Sequence, residues 1–342
     1  MRTEVEVKSR EGTFLIRPYR PGDETAILSS WKEAFGQEMT LSHWRWKYPG
    51  NPEGFRCLLC LAEDGTVVAH YAAQVTRITF YGEEILGLHL TDSFSHPRFR
   101  WALGGKTGLF VRTGWIFLRT FLEEIDLPAE PLATDLPKAR LAYGFPGERH
   151  FRLGVRLMKY RRHEPGVLYL TAEGAKGRRR PGLVEEDLTA FTEWPRLEEV
   201  FSPWRDKVFG VERRAAFLRW RFSWPGKEYR IFYTKTFWRK KTKAWLIAGP
   251  AESRWRVLDF WAREEEDLVE LLQGVLARVP TGLEVWVAGN HPLANAFEKA
   301  GFRRAQEPLG IVPCTRCYFA GRRVPPEAAD GFFFTMADAD LF

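Results

Sequence analysis

The sequence predicts a mixed α/β protein built from two similar domains, and three observations carry that expectation. A chain of 342 residues is longer than one ordinary core organises, so length favours two domains. Stretches with strand-like and helix-like apolar spacing alternate along most of it. A segment of the first half also returns in the second: HWRWKYPGNPEGFRCLL at 43–59 is echoed by FLRWRFSWPGKEYRIFY at 217–233, with Arg45/Arg219, Trp46/Trp220, Lys47/Arg221 and Tyr48/Phe222 in step. Each copy reads as an aromatic and basic helix, a Pro-Gly turn and a strand.

In order, GTFLIRP reads as a strand and PGDETAILSSWKEAFG as a helix, with Asp23 at its N-cap and Ile27, Leu28, Trp31 and Phe35 at helical spacing. A short helix at LSHWRWKY follows, closed by a PGNP turn. FRCLLCLAE and VVAHYAAQVTRITFY flank an EDGT turn and form a hairpin. ILGLHLTDSF is a further strand, and a glycine-rich loop leads from it into a long helix over 108–124. ARLAYGFP is a strand, GERHFRLG a short helix and RLMKYRRHE a closing strand. Residues 171–182, TAEGAKGRRRPG, show no periodicity and read as the linker between domains 1–170 and 183–342. The second half then offers strands at KAWLIAGP and RWRVLDFWA, a helix at EEEDLVELLQGVLARV, a strand at LEVWVAG, a helix at PLANAFEKAG, and strands near CYFAG and FFFTM.

Composition narrows the class. Hydrophobic residues at 45% and charged residues at 28% suit a chain that buries a core. The start, MRTEVEVKSREGTF, has no apolar h-region, and the most apolar helix is interrupted by Arg112 and Arg119, so a cytoplasmic protein with no membrane insertion is expected. A net charge of +7 would attract any polyanion without choosing among them. FWRKKTKAW at 237–245 and the RRR run at 178–180 raise a nucleic-acid reading, but the first lies between two strands as a solvated turn would, and the charge excess is small for such a partner. No nucleic-acid partner is expected. The four cysteines form two C-x-x-C pairs, a spacing that prompts thoughts of zinc. Cys57 and Cys60 fall in a strand, where residues three apart point to opposite faces, and Cys314 and Cys317 also read as strand, so no metal is expected.

The loop at 92–110, DSFSHPRFRWALGGKTGLF, places glycines around a lysine and a threonine just before an apolar helix, as an anion site at a helix start requires. It is not a P-loop, because Arg100 stands where the first glycine belongs. Nor is it a dinucleotide fingerprint, since the glycines fall at 104, 105 and 108.

The opening LIRPYRPGDETAI, the strand ending Phe94-Ser95-His96-Pro97, Arg100, and the glycine loop before the helix together resemble the GCN5-related N-acetyltransferase superfamily. YGFPGERHFRLGV at 143–155 and GNHPLANAFEKAGF at 289–302 both look like the helix that closes that fold, so the whole is similar to tandem proteins of this type. The resemblance implies acetyl-CoA, or another acyl-CoA, as co-substrate. Backbone N–H groups of Phe94 and Ser95 would hold the pantetheine, and Arg100 with Gly104, Gly105, Lys106, Thr107, Gly108 and Leu109 would hold the pyrophosphate. Against the family's loop, residues 101–104 look like an insert.

The resemblance also implies transfer of an acyl group to an amine of a small molecule, with Asp92 as base and His150, standing where the family often has a tyrosine, as acid. Other readings are a carboxylate paired with an arginine or capping a loop, and a solvated helix histidine. Tyr143 is a second acid candidate, more simply a core aromatic. In the second copy Phe297 replaces the acid, and Glu264, Glu265, Glu266 and Asp267 at the helix start would repel a diphosphate, so one acyl-CoA site is expected, in the first copy. The alternative is a noncatalytic acyl-CoA-binding or scaffold protein. A monomer is compatible with all of this.

Overall fold

The computed structural model describes residues 2–9, 11–100, 108–123, 126–174, 182–236, 241–317 and 330–340. Along the chain these form β1 (Val5–Ser9), β2 (Gly12–Pro18), α1 (Glu24–Phe35), α2 (Leu41–Lys47), β3 (Phe55–Ala62), β4 (Val67–Phe80), β5 (Glu83–Ser95), α3 (Leu109–Phe121), β6 (Leu141–Gly144), α4 (Glu148–Met158) and β7 (Arg161–Arg162). There follow β8 (Val167–Ala172), β9 (Leu183–Asp187), α5 (Trp194–Phe201), β10 (Phe209–Val211), α6 (Ala215–Arg221), β11 (Arg230–Lys235), β12 (Thr242–Pro250), β13 (Trp255–Ala262), α7 (Glu265–Leu276), β14 (Leu283–Ala288), α8 (Asn295–Lys299), β15 (Arg303–Arg304), β16 (Cys314–Cys317) and β17 (Phe332–Phe333).

Two compact units result. The first takes Met1–Thr76, Ile85–Arg162 and a segment beginning at Val312; the second takes Arg77–Glu84, His163–Ile311 and the end of the chain. These differ in three places from the ranges the sequence suggests. Residues 163–170 join the second unit because β8 pairs along β14 from Val167 to Ala172, burying Leu170 completely. The tip of the β4–β5 hairpin pairs through Ile78, Thr79 and Phe80 with β10, in the second unit. In the other direction, β16 pairs with β6 in the first. Of the expected linker, 171–172 belong to β8 and 175–181 lie outside the described residues.

The first unit's sheet runs β1-β2-β3-β4-β5-β6-β16-β7. Its neighbours are antiparallel except β5 and β6, which α3 connects and which run parallel. Strand alternation sorts β3 onto two cores. Leu58 and Cys60 pack with Val111, Ile116 and Phe117 of α3, whereas Cys57 and Leu59 pack with Ile27, Trp44 and Tyr48 from the α1–α2 side. The fully buried Phe117 contributes roughly 1.5–3 kcal/mol by leaving water. Gly114 is what lets α3 approach so closely: a Cβ there would stand 2.8 Å from the Tyr71 ring.

Several elements differ from the sequence reading. Residues 2–11, to which the reading assigns nothing, supply β1. The stretch read as a last strand from Arg156 is still helix through Met158, whose sulfur accepts from the Tyr71 hydroxyl, and Lys159 closes α4 with φ 55°. Asp23 stands at the N-cap of α1, but its carboxylate takes Arg17 in two bonds of 2.7 and 2.8 Å instead of capping the helix.

The second unit repeats the plan. Its sheet runs β15-β8-β14-β13-β12-β11-β9, again antiparallel apart from one pair, β13 and β14, joined by a helix, α7.

Candidate active site

β5 is the strand on which the sequence candidates converge. It pairs with β6 through Gly87–Leu141, Leu88–Ala142 and His89–Tyr143, and among the described residues that pairing goes no further, although β5 continues to Ser95. Three residues past the last pair, Asp92 has φ +47°, a left-handed conformation inside a strand. Such a residue behaves as a bulge, which bends a strand and ends its pairing.

Asp92 is held from both of its polar ends. Lys47 Nζ lies 2.8 Å from Oδ2, and the Tyr48 hydroxyl donates to the same oxygen at 2.7 Å. The Lys47 and Asp92 side chains are 4% and 11% exposed, so this ion pair is nearly out of water. On the backbone side, His70 Nδ1 is 2.8 Å from the Asp92 carbonyl oxygen. A carbonyl only accepts, so Nδ1 carries the proton, and Nε2 is left to accept from the Cys57 thiol at 3.4 Å. Burial lowers the histidine pKa and raises those of the Cys57 thiol and the Tyr48 hydroxyl, which keeps all three neutral at pH 7. Phe94 stacks on the His70 ring at 5.1 Å between centroids.

The other candidates are placed as follows. Ser95 ends β5, and the chain turns through Pro97–Phe99 with Arg100 exposed at its end. Gly104, Gly105, Lys106 and Thr107 lie outside the described residues. Gly108 is the N-cap of α3, and the first bond of that helix runs from the Arg112 N–H to its carbonyl, at 3.0 Å. The amides of Leu109, Phe110 and Val111 therefore precede the helical ladder. Tyr143 is buried, its ring 5.0 Å from His89 and nearly parallel to it. His150, in the first turn of α4, stacks on Tyr160 and meets Phe110 edge-on. Its Nε2 is buried with no hydrogen-bond partner among the described residues, and burial lowers its pKa. The structure thus gathers Asp92, Phe94 and Ser95 on one strand end, and sets His150 against Phe110 at the start of α3. Lys47 and Tyr48 are the residues sequence reasoning missed, their one signal being that they stand in the repeated HWRWKY segment, and His70 reads from the sequence as an ordinary sheet residue.

The corresponding place in the second unit is closed. Among the described residues β13 and β14 pair only at Trp255–Val257 with Leu283–Val285. Beyond this the end of the chain enters: Thr335 bridges to Val287, the Ala288 N–H donates to the Phe334 carbonyl at 2.9 Å, and the Thr335 hydroxyl donates to Asp259 of β13 at 3.0 Å. Fully buried Arg213 binds Asp259 at 2.7 Å and Asp338 at 3.0 and 2.7 Å. The two carboxylates raise the arginine's pKa, so it stays charged. The following helix α7 starts directly with Glu265, Glu266 and Asp267, and Lys299 and Lys243 neutralise Glu265 and Asp267.

This architecture, a mixed sheet with one parallel pair that separates beside a helix start, is the GCN5-related N-acetyltransferase fold, present twice in the chain. A structure of a GCN5-related N-acetyltransferase from Anabaena variabilis superposes with a TM-score of 0.62 at 11% identity, covering 89% of this chain and 72% of that one. Another from Kribbella flavida gives 0.59 at 12%, covering 92% and 71%. No family model and no curated protein matches the sequence. Among the described residues no helix is long and apolar enough to cross a membrane, and no three His, Cys, Asp or Glu side chains gather as metal ligands would.

Proposed function

We propose that the chain is an acyl-CoA-dependent N-acyltransferase with one site, in the first unit, that moves an acyl group from a CoA thioester to an amine of a small molecule. The observation that carries this is the departure of β5 from β6 at a left-handed Asp92, on the strand that precedes a helix beginning at a glycine. Strand amides past the last β5–β6 pair suit the amide-bearing pantetheine arm, and helix amides ahead of the hydrogen-bonded ladder suit a diphosphate.

The thioester supplies an activated acyl carbon and a sulfur leaving group. Phe94 and Ser95 would bind the arm through backbone N–H groups. The loop ending at Gly108 and Leu109, with Arg100 beside it, would hold the phosphates. His150, held neutral by burial, would offer a ring N–H to developing negative charge rather than act as an imidazolium.

Calorimetry with acetyl-CoA tests the assignment. The parent should bind with a micromolar dissociation constant, and a Gly105→Glu, Gly108→Glu double variant should lose at least about a hundredfold while melting as the parent does. A folded parent that does not bind would remove the acyltransferase reading. One observation favours a second reading, a noncatalytic acyl-CoA-binding protein: Asp92 is ion-paired and Tyr143 buried, so two of the three candidates for proton transfer are already engaged. Binding without turnover across an amine screen would select it.

A further inference from the structure

Resting on the acyltransferase reading, we infer that Asp92 and His70 are positioning residues: together they hold β5 in the left-handed kink that opens it from β6, and the Asp92 carboxylate is not the base for the acceptor amine. A residue other than glycine seldom adopts φ +47° within a strand, and such outliers persist only where the surroundings fix them. Here the fixing groups come from two separate elements. Lys47 and Tyr48, at the end of α2, hold the side chain, and His70 of β4 holds the carbonyl. The same imidazole is covered by Phe94, so it grips β5 on the far side of the kink as well. The tautomer is set by this arrangement: with its proton on Nδ1 and the Cys57 thiol facing Nε2, the ring has one hydrogen-bonding orientation that serves the kinked backbone.

β6 leaves at the matching point. A Cβ on Gly144 would stand 3.3 Å from the Leu90 carbonyl oxygen, and below it the pairing is regular. The opening thus begins between Leu90 and Asp92. A general base has to receive a proton from the substrate ammonium, and the Asp92 Oδ2 already carries an ammonium and a hydroxyl in a nearly dry setting. What the site takes from Asp92 is therefore its backbone conformation.

Glycine adopts positive φ freely and β-branched residues do not, which separates the backbone role from the carboxylate role. The experiment compares two double variants, Lys47→Met with Asp92→Gly and Lys47→Met with Asp92→Val. Removing Lys47 in both avoids a lone buried ammonium. Coenzyme A affinity is measured by calorimetry beside a thermal melt. The glycine pair should recover affinity to within about threefold of the parent, and the valine pair should be weaker by about tenfold or more. If the valine pair fails to melt cooperatively, Lys47→Met with Asp92→Ala takes its place, with the same loss expected. Equal affinities in the two pairs, in a parent that binds, would overturn the kink while leaving the acyltransferase reading intact. A folded parent that does not bind coenzyme A would overturn both.

Discussion

His70 and His291 are buried and His150 is half-buried, and burial lowers the pKa of each from the ordinary 6.5. In the unfolded chain they take up protons as pH falls through 6.5, while in the folded chain they resist. Their contribution is therefore present above 6.5 and is lost on acidification, at up to about 1.4 kcal/mol per pH unit for each histidine. Asp259 acts in the opposite sense, because burial raises its carboxyl to about 6 and the folded state keeps that proton longer. Three groups outweigh one, so the urea midpoint should fall between pH 7.5 and 5.5. A midpoint that stayed or rose would show that these rings are not buried as neutral bases. The sequence showed Asp92 as a lone carboxylate in an apolar strand and left open a pairing with an arginine. Its partner is a lysine, with a tyrosine and a histidine, and no local pattern names them because they stand on α2 and β4, far from Asp92 in the sequence.

At the scale of elements, two strand–helix units of the same plan diverge at the helix start and in the gap between the parallel strands. α3 begins at a glycine with no acidic residue in its first turn, and α7 begins with three. That difference was legible, since it is a matter of composition. The filling of the β13–β14 gap was not, because Thr335 reaches Asp259 across 76 residues and the FFFTM stretch reads only as a short apolar strand. Arg213 is what secures the segment, through Asp259 and Asp338. Arg213→Met strands both carboxylates in the interior and should cost about 3–5 kcal/mol in urea unfolding, whereas replacing all three with apolar residues of similar volume should recover most of it. Equal stability of Arg213→Met and parent would mean the segment is held by its phenylalanines alone.

Over the whole chain, the number of domains, their common plan and most helices and strands could be read from periodicity and from the HWRWKY echo, but the exchange of segments could not. Strand periodicity says that a stretch wants a sheet and not which sheet. β16 reads as a strand but pairs in the unit where the linear order would not put it, while β8 falls across an unassigned stretch and the start of the expected linker, and pairs in the second unit. A fragment ending at residue 170 consequently lacks β16 and leaves the outer edge of β6 unpaired. Expressed alone, it should elute from size exclusion as aggregate, and adding residues 310–325 after a flexible linker should restore a soluble species. A soluble, monomeric 1–170 fragment would show that β16 is dispensable.

The closed gap in the second unit has a consequence for how a titration would look. A segment of the same chain competes there at an effective concentration on the order of millimolar, and it is anchored besides by a buried arginine. Micromolar acyl-CoA has no means of displacing it. On the acyltransferase reading, saturation should therefore come at one equivalent per chain along a simple hyperbola, with no second binding event in the other copy of the fold and no cooperativity inside the chain.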